Sequence, residues 1–404
     1  MGMKKIFNLL LKIVFLVSLV IFPFGQFLRI ELPNFPEIKL QPLDFLCFIF
    51  VFISLAKKLV LKEKFKLPEL AKIMAVFLGI ALFSFLINVF TVPAFSLVSS
   101  FLYFLRLFEY FLFFWSVADF LKESYLPVST YLIFAGLAVA VLALGQYFLV
   151  PDTRFIYNLG WDEHYFRAIG SFLDPAFTAL LINLSFIIWL SRSFDRKVKN
   201  IYWWSLGLIF LVSIGLSFSR LNYGVLLLSA ILIFIIRKKT KLITLIVILF
   251  ISMIFFLPKP AGEGVNLLRT NSVFAKLENY QLAWKIIADH PVFGVGFNNY
   301  RIAQRKYGFL SEENWQSTNA GAGADNSFLF TWATTGIFGF LTLLFLLARI
   351  MQKSILLAVK NEMALILFTS TIAIAVSSFF VNAFFYPWVL FWLMLLLAKF
   401  TAEN

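Results

Sequence analysis

Val128-Ser-Thr-Tyr-Leu-Ile-Phe-Ala-Gly-Leu-Ala-Val-Ala-Val-Leu-Ala-Leu-Gly-Gln-Tyr-Phe-Leu-Val150 carries no charged side chain. At about 1.5 Å of rise per residue a helix of this length crosses the roughly 30 Å hydrocarbon layer of a bilayer. Similar apolar runs occupy 6–28, 43–56, 70–90, 97–118, 168–190, 201–218, 221–236, 242–257, 327–348, 363–379 and 383–397. Together they predict an all-α, polytopic membrane protein of about 12 transmembrane helices. Composition agrees: 61% of residues are hydrophobic and 53 are Phe, and the mean hydropathy is +0.89. Soluble domains hold about 45–50% apolar residues. So many spans in 404 residues leave no room for a separate soluble domain, so residues 1–404 are expected to form one integral membrane domain.

The net charge of +14 is distributed as a topology signal and gives no indication of nucleic-acid binding. With both termini in the cytoplasm, Lys57, Lys58, Lys62, Lys64, Lys66 and Lys72 share one inner loop; Arg192, Arg196, Lys197 and Lys199 fill a second, and Arg237, Lys238, Lys239 and Lys241 a third. This is the excess that the positive-inside rule requires. The basic start, Met1-Gly-Met-Lys-Lys-Ile-Phe7, resembles a signal-peptide n-region, but the apolar run continues to Leu28 without a small-residue cleavage site. A retained first helix is expected. Cys47 is the single cysteine and reads as a small buried apolar residue. It excludes an internal disulfide, and no His or acidic cluster has metal-ligand spacing, so metal-independent chemistry without a cofactor is expected.

One segment departs from this apolar pattern. Residues 258–325 form a long hydrophilic stretch which, like 151–167, faces outward in this topology, and the two contain both histidines, His164 and His290. Val273, Leu277, Tyr280, Trp284 and Ile287 recur at helical spacing within it and predict an amphipathic helix, ended by Pro291. The Gly-rich run at 311–323 reads as a lid. Inside the membrane, Arg106 and Glu109 stand three apart on one helix, where an ion pair is expected.

The long loop ends in two blocks, His290-Pro-Val-Phe-Gly-Val-Gly-Phe-Asn-Asn-Tyr-Arg301 and Asp325-Asn326 followed after nine residues by Gly336-Ile-Phe-Gly339. The first resembles the His-Pro-x-x-Gly-x-Gly segment of the O-antigen ligase and O-antigen polymerase superfamily. The second resembles that superfamily's His-Asn-x9-Gly-x-x-Gly signature, with Asp325 in place of the histidine. Twelve spans and a large outer loop before the last three match the family's topology.

The resemblance implies glycosyl transfer at the outer face of the cell inner membrane. A glycan moves from a polyprenyl-diphosphate carrier in the lipid to an acceptor hydroxyl, beside a flippase and a chain-length regulator. The Asp at position 325 inclines the reading toward polymerisation of O-antigen or exopolysaccharide repeat units over ligation to a lipid or protein acceptor. A membrane transporter, for instance of bicarbonate, is the alternative from another class. Cations for the diphosphate are sought first, since charge gathers on the leaving group and arginine matches phosphate geometry. Arg220, in Ser217-Phe-Ser-Arg220, resembles the Ser-Arg of the family, and Arg167, Arg154 and Arg301 complete this set. Snorkelling toward lipid headgroups is the competing reading of the first two. Asp325 stands at the family's histidine position, where a carboxylate made more basic by burial can accept the acceptor's proton. It is equally suited to cap the following helix. His290 is a second candidate base or a helix-end residue. His164, in Trp161-Asp-Glu-His-Tyr165, has an aromatic and acidic setting suited to sugar. Asn326 joins the substrate-binding set, and Gly294 and Gly296 are read as a tight turn letting backbone approach the substrate.

Overall fold

The computed structural model describes residues 2–32, 35–194, 200–258, 260, 263–310, 315, 319 and 323–404. The helices run α1 (Gly2–Ile21), α2 (Pro42–Val60), α3 (Glu69–Ile87), α4 (Ala94–Glu123), α5 (Val128–Leu149), α6 (Pro175–Arg192) and α7 (Ile201–Leu216). They continue with α8 (Arg220–Ile236), α9 (Lys241–Phe256), α10 (Asn271–Asp289), α11 (Tyr300–Lys306), α12 (Ser327–Ala358), α13 (Glu362–Ser377) and α14 (Pro387–Glu403). All except α10 and α11 coincide with an expected span. Among the described residues six are long and apolar enough to cross a membrane: α1, α3, α4, α5, α6 and α12. Helices α7, α8, α9 and α13 are apolar but shorter.

The boundaries move where local chemistry dictates. The first apolar run stops being α-helical at Ile21, because Pro23 and Gly25, at φ +52°, lead into a short 3-10 turn. The sixth begins at Pro175, not at residue 168. Asp174 accepts hydrogen bonds from the backbone N–H groups of Ala176 (2.6 Å) and Phe177 (2.9 Å), and Pro175 fits the first helical position. An antiparallel hairpin, β1 (Ile30–Leu32) and β2 (Phe35–Leu40), was not expected; it pairs Ile30 with Leu40 and Glu31 with Lys39.

Helices α6 and α14 are buried along nearly their whole length and form the centre of the bundle. Around them α14 packs on α4 and α13, α6 on α5, α7, α8 and α13, and α12 on α3 and α13. At the other end of α4, Lys57 meets Glu123 at 2.6 Å and Lys58 meets Asp119 at 2.6 Å. The expected Arg106–Glu109 pair is not made. Arg106 turns instead to Asp44 at 2.7 Å and to the carbonyl of Lys39 at 2.5 Å, where the end of β2 and the start of α2 converge.

The two sequence blocks meet in one backbone joint. Helix α12 bends at Gly336, whose φ of +68° and ψ of −171° lie in a region essentially restricted to glycine. The bend breaks the helical bond that would join the N–H of Ile337 to the carbonyl of Ala333. Both groups find new partners in the other block: Ile337 donates to the Pro291 carbonyl at 3.0 Å, and Val295 donates to the Ala333 carbonyl at 2.9 Å. Ser84 on α3 clamps the joint, its hydroxyl reaching the carbonyls of Phe293 (2.5 Å) and Thr334 (2.7 Å). Buried backbone groups without partners would be costly, so the reciprocal exchange is what makes the bend affordable.

A Cβ at position 336 would stand 1.9 Å from the Val292 carbonyl oxygen. Gly336→Ala is therefore expected to cost about 3 kcal/mol or more, through clash and strained backbone together. In a thermal-stability assay of purified protein it should lower the midpoint far more than Gly79→Ala, since a Cβ at Gly79 meets nothing within 4 Å. Equal midpoints for the two would contradict the joint.

Candidate functional site

A cavity of about 940 Å³ lies among the hairpin, α4, the α5–α6 connection, the start of α8, α10, α11, the start of α12 and the turn into α14. Arg29, Lys39, Arg106, Arg167, Arg220, Arg269, Lys276 and Arg301 line it, against three carboxylates, Asp162, Asp174 and Asp325. Arg29 and Lys39 are paired with Glu31 and Arg106 with Asp44, so the unpaired positive charge among the described residues lies with Arg167 and Arg220.

Arg220, the first residue of α8, is aimed by the segment leading into α10. Its Nη1 donates to the carbonyls of Leu267 (3.3 Å) and Arg269 (2.9 Å), and its Nη2 to the hydroxyl of Ser272 at 2.8 Å. Arg167 donates from Nε to the Ser217 carbonyl at 3.0 Å and from Nη2 to that of Phe218 at 3.4 Å. Arg269 reaches the same Phe218 oxygen at 3.4 Å. Two guanidinium groups thus share one carbonyl. Burial, together with the charge of Arg269, lowers Arg167 to about 10, so it remains a cation at neutral pH. Among the described residues no carboxylate makes an ion pair with Arg167 or Arg220. Their forks are held in place by carbonyls and a hydroxyl, with charge left over for a ligand.

Asp325 occupies the wall of this cavity. Its Oδ2 lies 3.2 Å from Nζ of Lys276, which also donates to the Phe380 carbonyl at 2.5 Å. Its backbone N–H donates to Oδ1 of Asn279 at 2.8 Å, fixing the turn from α10. The side chain is 47% exposed, so the burial expected to prepare this carboxylate is not what distinguishes it. Nor does Asp325 cap α12. That task belongs to Asn326, whose Oδ1 accepts from the N–H groups of Phe328 (2.9 Å) and Leu329 (3.0 Å). Asn326 is thereby committed to the helix end and does not line the cavity.

His164 and Arg301 line the cavity as well. His164 is 7% exposed, and burial followed by the charges of Arg167 and Arg269 lowers it to about 3, so it is a neutral imidazole at physiological pH. Arg301, on α11, donates from Nε to the carbonyl of Trp315. The proposed lid, 311–323, falls almost wholly outside the described residues. Of it, Asn319 bonds Nη1 of Arg29 at 3.2 Å and the Gly160 carbonyl at 2.8 Å.

Other candidates lie elsewhere. Arg154 is exposed and paired with Asp152 through Nε (2.9 Å) and Nη2 (2.6 Å), away from the cavity lining. His290 is exposed at the end of α10, its N–H on the Ile286 carbonyl at 3.0 Å and its own carbonyl accepting from Gly294 at 3.1 Å. Gly294 and Gly296 do bring backbone close, but to protein and not to substrate. A Cβ on Gly294 would be 2.5 Å from the backbone of Thr334, and one on Gly296 would be 2.4 Å from Nδ2 of Asn299.

Residues 205–344 match the family model described as O-antigen ligase. This segment is similar to that family. It supports membership of the O-antigen ligase/polymerase superfamily, and it includes Arg220, Arg269, Lys276, Asp325 and both halves of the backbone joint. No curated protein matches the chain. Arg167, His164 and Arg29 come to the cavity from outside the matched segment. Arg29, Arg269 and Lys276 were missed in the sequence. Lys276 carried one usable signal, since it stands four residues before Tyr280 and shares its helix face.

Two predictions separate roles at this site. Asn326→Ala should cost about 1 kcal/mol of stability as a lost cap, while Asp325→Ala costs much less. Equal losses in thermal unfolding would contradict the assignment of the cap. An unfolded histidine titrates near 6.5 and His164 in the fold at about 3. Its stabilising contribution is complete above about pH 6.5 and is lost as pH falls toward 3. His164→Gln should therefore lose less thermal stability than wild type between pH 7 and pH 5, and parallel curves would contradict a buried neutral imidazole.

Proposed function

We propose that the protein is a glycosyltransferase of the cell inner membrane that takes a glycan from a polyprenyl-diphosphate carrier and joins it to an acceptor hydroxyl at the outer face. The observation that carries this reading is the placement of Arg167 and Arg220, two guanidinium groups with no ion-paired carboxylate among the described residues, beside Asp325 on the wall of the same cavity. Arg220, Arg167 and Arg269 hold the diphosphate. Charge grows on the leaving oxygen as the bond from the anomeric carbon to phosphate breaks, and positioned guanidinium groups stabilise it without having to reorganise. The acceptor oxygen forms the new bond to that carbon, and its proton passes to Asp325. Lys276 orients the carboxylate and, by moving toward the departing diphosphate, releases it to accept the proton.

Polymerisation of repeat units is the favoured form of the reaction. The carboxylate at position 325, where the family's ligase signature has histidine, is the feature that supports it. Purified protein supplied with a lipid-linked repeat unit should then yield a ladder of longer lipid-linked chains. Transfer only to a lipid core or a protein would identify a ligase instead.

Arg220→Ala is expected to lower the rate by about 100- to 1,000-fold, as loss of one transition-state donor does. Asp325→Asn, which keeps the side chain's size, should lower it by about 100-fold or more as loss of a general base. Full activity in Asp325→Asn would leave the electrostatic assignment standing and remove the base.

A further inference from the structure

A smaller chamber of about 230 Å³ adjoins the main cavity, with Arg106, Arg301, Asn382 and Phe385 lining both. It is far larger than the about 30 Å³ of one water and smaller than the about 300–1,000 Å³ pockets of drug-sized ligands, so it suits a single ring. Part of its lining is aromatic: the rings of Phe297 and Phe385 stand 6.0 Å apart, and Phe330 lies 6.4 Å from the first and 5.2 Å from the second. Another part is polar, with Ser99, Ser100 and Tyr103 on α4 and the buried Glu37 on β2. Tyr300, the first residue of α11, belongs to both. Its ring packs on Phe330 at 5.9 Å and the residue is 1% exposed, yet among the described residues no donor or acceptor meets its hydroxyl. A buried hydroxyl without a partner costs free energy, and phenylalanine would fill the same space without that cost. Burial and then the negative charge of Asp325 push the Tyr300 hydroxyl's pKa up, so it stays protonated as a donor, within reach of the field of Asp325.

We propose that this chamber is a subsite for one pyranose ring of the acceptor glycan, held with its C–H face against the phenylalanines and its hydroxyls on Tyr300 and the polar side chains of α4. The inference rests on the proposed function and adds to it the place and chemical class of the acceptor. A pyranose has an apolar face and a rim of hydroxyls, the two surfaces that this lining complements. Arg167, Arg220 and Arg269 line the main cavity and not the chamber, so the diphosphate end of the donor is held outside it. The chamber instead neighbours Asp325, the carboxylate that takes the acceptor's proton.

The test uses the full chain in phosphatidylcholine nanodiscs, with the methyl glycosides of glucose, galactose, mannose and N-acetylglucosamine and with inorganic pyrophosphate as probes. Saturation-transfer NMR should show at least one glycoside bound, and saturating pyrophosphate should leave it bound. Tyr300→Phe should weaken that glycoside about fivefold, the loss expected of one neutral hydrogen bond. Its pyrophosphate affinity should be unchanged and its thermal midpoint no lower than wild type, since the variant removes an unpartnered buried hydroxyl. Unchanged glycoside affinity in Tyr300→Phe, or displacement of the glycoside by pyrophosphate, would overturn the subsite. So would a wild type that binds pyrophosphate and no glycoside, a result that leaves the diphosphate site standing. A wild type that binds the glycoside and no pyrophosphate would remove the diphosphate reading and keep the chamber as a sugar site.

Discussion

The geometry of the cavity depends on the exchange of two backbone hydrogen bonds at Gly336. Helix α12 gives up its bond between Ile337 and Ala333, and the turn after α10 supplies Pro291 and Val295 as replacements. Neither side satisfies its buried polar groups alone. The exchange fixes the end of α10 against the middle of α12, and the first half of α12 then returns to the cavity with Asp325 at its mouth. Lys276, three turns back along α10, is brought to 3.2 Å from that carboxylate as a result. The glycines of both blocks serve this contact, through the close approach of one backbone to another.

The cavity combines features that would be unstable separately. Arg167 and Arg269 converge on one carbonyl, and with Arg220 they concentrate positive charge in a partly buried volume. Carbonyl dipoles and the Ser272 hydroxyl hold the forks of Arg167 and Arg220. His164, kept neutral by its burial and then by the same field, adds no further repulsion. The carboxylates are placed at the edges: Asp174 is engaged in capping α6, and Asp325 is engaged with Lys276.

The helices were legible in the sequence because long apolar runs have few alternatives to spanning a bilayer. Their ends were less so: the span expected from residue 168 begins at Pro175, since a cap and a proline outweigh continued hydrophobicity. The face of α10 was read in part. Ile287 is buried as expected, but Val273, Leu277 and Trp284 are exposed, and the packed face runs through Leu282, Ala283 and Ile286. A helix roofing a cavity has two apolar sides, and periodicity alone does not tell them apart. Arg220, Arg167 and Asp325 were found because each sits beside a recognisable turn or block. Arg29 and Arg269 were not, since each has a local partner, Glu31 or the Gly264 and Asn266 carbonyls, while what ties it to the cavity, Asn319 or the Phe218 carbonyl, is distant in sequence. The pairing of Arg106 with Asp44 was hidden for the same reason, while neighbouring Glu109 offered a local partner that the fold does not use.

The central claim, that guanidinium groups from inside and outside the segment matched by the family together hold a lipid-linked diphosphate beside Asp325, is tested most directly by a density map of the protein with a polyprenyl diphosphate bound. The account predicts both phosphates within hydrogen-bonding distance of Arg220 and Arg167. Phosphates bound at the exposed Arg154, or anywhere that leaves Arg167 and Arg220 on their present carbonyl partners alone, would contradict it.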